Sequence, residues 1–60
     1  MQKNRLTEAQ AERLADHTVQ RRLATDSAYQ HAESAEVQAE RAAAIEAEVW
    51  ADLEYRFEIA

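Results

Sequence analysis

A chain of 60 residues without cysteine, glycine or proline has no disulfides to staple it and none of the residues that usually build tight turns and irregular loops. Fourteen alanines, with many Glu, Gln, Arg and Leu, supply the residue types that lose least on entering a helix. The net charge of −5 lies in the second half, where eight acidic side chains face Arg41 and Arg56, and no basic stripe in the first half offers a seat for nucleic-acid phosphates.

The first element opens at Thr7-Glu8-Ala9-Gln10. This is a capping box, in which the Thr hydroxyl accepts an amide of the first turn and the Gln side chain reaches back. A helix is predicted over residues 8–24, with Ala11, Leu14, Ala15, Thr18, Val19 and Leu23 as its inner face. Thr18 and Arg22 interrupt that stripe. The short polar side chains of Thr25, Asp26 and Ser27 compete with helical hydrogen bonding and predict a break over 25–27. One bent helix throughout is the rival, since no glycine forces a stop.

Ser27-Ala28-Tyr29-Gln30 repeats the capping pattern and opens a second helix predicted over 28–58. Within it Ala28, Ala32, Ala35, Ala39, Ala42, Glu46, Val49 and Leu53 follow alternating steps of four and three, the spacing of a coiled-coil seam. So many alanines would let a facing helix approach closely, with Leu14 and Leu23 completing the helix–helix interface. Glu46 interrupts the seam, either pairing with Arg21, Arg22 or Arg41 or marking the point where the contact ends. The expected architecture is all-α: a single domain, 1–60, folded as an antiparallel two-helix hairpin with a longer second helix, coiled-coil-like and dimeric.

At 1.5 Å per residue the two predicted helices measure ~25 Å and ~46 Å, so the second would project beyond the first from near Glu46. That overhang carries Val49, Trp50, Leu53, Tyr55, Phe57 and Ile59, an apolar surface that calls for a cover. Val49, Trp50, Leu53 and Phe57 are the candidate protein-binding residues. They could pack on a second copy, or dock in a groove of another protein as an i, i+3, i+7 anchor set. Alternatively, residues 53–59 alternate apolar and charged side chains and could add a strand to a partner's sheet or to the same segment of a second copy.

Chemistry is sparse. His17 stands beside Asp16 and His31 near Glu33, on diverging helix faces, so neither forms an acid–base pair, and no metal-ligand spacing recurs. Ser27 and Ser34 have no triad partner, and no phosphate loop forms without glycine. The chain is therefore read as non-enzymatic, with no catalytic residue, cofactor or metal. Glu33, Glu36, Glu40, Glu54 and Glu58 would share one side of a continuous second helix, as a solvated face or as a phosphate mimic.

No apolar run reaches the ~18 residues of a membrane span, and no leader-like segment opens the sequence, so a cytoplasmic protein is expected. One lysine against six arginines, with the alanine content, suggests a bacterial or phage source. A chain this short buries only about 60% of its unfolded surface. The expected function is thus a protein–protein interaction module, an adaptor or inhibitor that docks an apolar helix face on itself and on a larger protein. A structural subunit of a larger assembly is the alternative, and an acidic nucleic-acid mimic a further one.

Overall fold

The computed structural model describes residues 3–60 and is mostly helical. In chain order it comprises β1 (Asn4–Leu6), α1 (Glu8–Thr25), α2 (Ser27–Gln30), α3 (Ala35–Arg56) and β2 (Phe57–Ile59). The whole measures 43 × 20 × 17 Å.

Local chemistry explains where the helices start. Thr7 is extended, its Oγ1 accepts the Gln10 amide at 3.1 Å, and Gln10 Oε1 accepts the Thr7 amide at 3.0 Å. Both bonds of the capping box are made, satisfying amides that have no carbonyl partner at a helix start. Asp26 is a single extended residue that ends α1 and caps α2, its Oδ2 accepting the Tyr29 amide at 2.8 Å. The capping role expected of Ser27 therefore falls one residue earlier, on a carboxylate, which binds an amide more strongly than a hydroxyl does.

The predicted helix over 28–58 is corrected at both ends. After the single turn of α2 the chain leaves the helix over residues 31–34, and α3 starts anew behind Ser34, whose Oγ accepts the Val37 amide at 3.2 Å. Among the described residues none has positive φ, and the chain passes from α1 to α3 through extended Asp26, the single turn of α2 and residues 31–34. Side chains cover the carbonyls this frees: Gln30 Nε2 donates to Leu23 O at 2.8 Å and Gln38 Nε2 to Tyr29 O at 3.3 Å.

At the other end helix gives way to strand without a turn, as Phe57 becomes extended while its amide still donates to Leu53 O. β2 pairs in parallel with β1, matching Asn4 with Phe57, Arg5 with Glu58 and Leu6 with Ile59, and the Ala60 amide donates to Leu6 O at 3.0 Å. The all-α expectation thus misses a small two-stranded sheet. Parallel strands need a long crossover, and here the three helices provide it. Alternation puts half-buried Phe57 and Ile59 on the core side and Glu58 on the opposite face, beside Arg5 at 3.4 Å.

The core lies where α1 packs on α3. Ala15, Ile45, Val49 and Leu53 are buried, with Val19, Leu23, Trp50, Phe57 and Ile59 packed around them. Ala11, one turn before Ala15, is fully buried as well. Small side chains on α1 thus face large ones on α3, the reverse of the expected alanine seam on the second helix.

Ala28, Ala35 and Ala39 are exposed and Ala32 and Ala42 only half-buried. On α3 the contact steps by three from Ala42 to Ile45, not by four to Glu46. Ile45 is fully buried and Glu46 exposed. Leu14, an expected interface residue, is 36% exposed, since it projects ~100° away from Ala15 around α1. Leu23 is half-buried and does pack on the core.

The observed lengths also shrink the projection. Eighteen residues of α1 and 22 of α3 give helices of ~27 Å and ~33 Å, and the strand pair occupies the end where α1 begins and α3 ends. Little of α3 is left unaccompanied.

Candidate docking groove between the long helices

Of the predicted anchor residues, Val49 and Leu53 are only 4% exposed and belong to the chain's own core. Trp50 is half-buried at the edge of that core, and Phe57 sits in β2, packed on the core from the strand side. The four therefore form no exposed apolar stripe. They turn inward because Val49 and Leu53 lie on the line of α3 that meets Ala15.

The seam between α1 and α3 has two unlike flanks. On one, Arg22 Nη2 donates to Glu48 Oε2 at 3.2 Å, a single exposed ion pair bridging the helices. Near the same flank Arg41 grips Asp26 with two hydrogen bonds, Nε to Oδ2 at 2.9 Å and Nη2 to Oδ1 at 2.8 Å. This fork ties the α1–α2 junction to α3. The Arg41 guanidinium, helped by the Tyr29 amide, lowers the Asp26 carboxyl from its ordinary 3.8 to about 2, and Asp26 in turn raises Arg41.

On the other flank the helices leave a groove of about 460 Å³. Its floor is Ala15, Val19 and Leu23 from α1 with Ala42 and Trp50 from α3; its rims are Glu12, Asp16 and Gln20 on one side and Glu46 on the other. Helical spacing explains this composition. Residues 12, 16 and 20 recur every four positions along one edge of α1, and 42, 46 and 50 do so along the facing edge of α3. Every charged side chain that lines the groove is a carboxylate. Glu46, expected in the seam beside Arg21, Arg22 or Arg41, instead stands on this rim, while Arg22 and Arg41 pair with Glu48 and Asp26 on the far flank.

A second recess, of about 790 Å³, lies at the strand end, lined by Lys3, Arg5, Glu54, Phe57, Glu58 and Ile59. Cations and carboxylates alternate around it. Arg5 pairs with Glu58, and Lys3 Nζ donates to the Glu54 carbonyl at 3.1 Å while lying 6.0 Å from the Tyr55 ring centre.

The polar residues weighed for chemistry are scattered. His17 is exposed on α1, and His31 Nδ1 lies 3.1 Å from Ser27 O at the end of α2. Among the described residues no three His, Cys, Asp or Glu side chains are grouped to hold a metal ion. The expected acidic side of the second helix is also divided, because Glu33 falls in the link and Glu58 in β2, leaving Glu36, Glu40 and Glu54 exposed on α3. No helix among the described residues is long and apolar enough to cross a membrane.

Sequence reasoning missed Ile45 because it followed strict four–three arithmetic through Glu46. The bulkier apolar neighbour one position earlier was the available signal. It missed the groove because a groove needs both helix phases at once. No family model, curated protein or solved structure matches this chain.

Proposed function

We propose that this chain is a non-enzymatic, cytoplasmic protein–protein interaction module that docks a larger protein through the groove between α1 and α3, as an adaptor or inhibitor. The observation that carries the reading is the groove itself: an apolar floor containing a half-buried tryptophan, left open beside a core of five buried side chains among the described residues. In this reading α1 and α3 act as the two arms of an antiparallel hairpin. The Arg22–Glu48 and Asp26–Arg41 pairs support that arrangement, since the later partner falls as the earlier one rises along the chain.

Val49 and Leu53, offered by the sequence for pairing two copies, are occupied within one chain, and the weight of the proposal shifts from self-association to a larger partner. A photo-crosslinking residue placed at Gln20, on the groove rim, tests this in cells that naturally carry the chain. The proposal expects discrete adducts with a larger protein from position 20 and not from position 21, which projects to the opposite flank. Equal adducts from both positions, or none from position 20, contradict it.

A further inference from the structure

We infer that the occupant of the groove is one amphipathic helix of a partner protein, its apolar stripe lying on Val19, Leu23 and Trp50 and its Lys or Arg side chains over Glu12, Asp16 and Glu46. The inference rests on the docking role proposed above and names the chemistry of the partner.

Dimensions favour a helix. From Glu12 to Leu23 the groove runs along twelve residues of α1, ~17 Å or about three turns. A helix docked through i, i+3 or i+4, and i+7 anchors presents an apolar stripe of ~10 Å, which fits within that length. The groove is half open to solvent and its walls are helices. It therefore offers neither the enclosure that a small ligand needs nor a strand edge to extend.

Charge selects the kind of helix. Glu12 and Asp16 stand one turn apart on α1, Glu46 stands across from them on α3, and no lysine or arginine lines the groove. Two cations of the helix pair, Arg22 and Arg41, are engaged on the other flank by Glu48 and Asp26. An apolar stripe bordered by cationic side chains matches this floor and rim, and like-charge repulsion turns away an acidic one. A second copy meets the same repulsion. A twofold contact through this flank would set Glu12, Asp16 and Glu46 against themselves in a chain of net charge −5. Nucleic acid is repelled by the same three carboxylates.

The test is titration of the full chain with three-turn amphipathic helical peptides, one of leucine and lysine and one of leucine and glutamate, followed by Trp50 fluorescence and calorimetry. Two neutralised variants of equal net charge accompany the wild type: Glu12→Gln/Asp16→Asn/Glu46→Gln in the groove, and Glu36→Gln/Glu40→Gln/Glu54→Gln elsewhere. Circular dichroism confirms that both remain helical. The expected result is one leucine–lysine peptide per chain, a change in Trp50 emission and weakening with salt. The groove variant should raise Kd at least about fivefold and the control variant less than twofold.

Equal losses in the two variants would reduce the binding to general charge attraction and overturn the inference. Equal binding of the leucine–glutamate peptide, or shielding of Trp50 by self-association alone, overturns the basic partner and leaves the docking role standing. Absence of binding by either peptide, with Trp50 emission independent of protein concentration, overturns the inference. Loss of the docking role itself is read separately, from position-20 crosslinking.

Discussion

At the scale of single residues, Ile45 and Asp26 carry unusual weight. Ile45 is, among the described residues, the one large side chain with no exposure, clustered with Ala15 of α1 and with Val49 and Leu53. Truncation to alanine removes buried methylene groups and leaves a cavity, so Ile45→Ala should cost about 2–5 kcal/mol in urea unfolding. Glu46→Leu, beside it, should cost nothing comparable, since that position is exposed.

Asp26 fixes a junction, and its depressed pKa determines how that junction responds to acid. A carboxyl lowered from 3.8 to about 2 on folding contributes stability at every pH above its unfolded value. That contribution fades as pH falls from about 4 through about 2. Melting curves across this range should show Asp26→Asn flattening the acid response relative to wild type. An unchanged slope would mean that the Arg41 fork does not form in solution. The sequence marked Asp26 as a helix breaker; its pairing with Arg41, 15 residues later, depends on where α3 lies and no local pattern reveals it.

At the scale of elements, caps and not glycines place the boundaries. Ser34→Ala should destabilise by about 1 kcal/mol, because the Val37 amide loses its acceptor. Ser27→Ala should stay within about 0.5 kcal/mol, because Ser27 is not the residue that caps α2. Chemical denaturation of the two variants side by side decides which serine is a cap. Thr7 and Gln10 were legible as a capping box because both bonding partners lie within one turn.

The link at 31–34 and the sheet were far less legible. Ser34-Ala35-Glu36-Val37 lacks the reciprocal Glu or Gln of a capping box, so its start signal is weak. Strand alternation was visible over residues 53–59, but only Phe57–Ile59 takes it up, because Val49 and Leu53 hold the preceding segment as helix against α1. Its mate, Asn4–Leu6, is too short to show any period, and a pairing that spans 53 residues leaves no trace in a local window.

At the scale of the whole molecule, a thin core and an uneven surface belong together. Ala11 and Ala15 let α3 come close, which allows Ile45, Val49 and Leu53 to be buried, but Trp50 at the edge of this core is left half-buried. The sequence showed the helical class, the apolar content of the second half and its excess of carboxylates. Which flank those carboxylates border follows from the phase of α3 relative to α1, set by the link that composition does not disclose. The exposed Arg22–Glu48 pair bridges the helices on the other flank at low energetic value, so Arg22→Ala should change stability by less than about 1 kcal/mol.

The claim that ties these scales together is that the carboxylate-rimmed flank is the working surface. Amide chemical-shift mapping of the isotope-labelled chain, titrated to saturation with the leucine–lysine helix, addresses it most directly. The account predicts that the large shifts cluster at residues 12–23 and 42–50 along the groove and spare Asn4–Leu6 and Glu33–Glu36. Shifts centred on the strand pair, or spread evenly over every exposed acidic position, would contradict it.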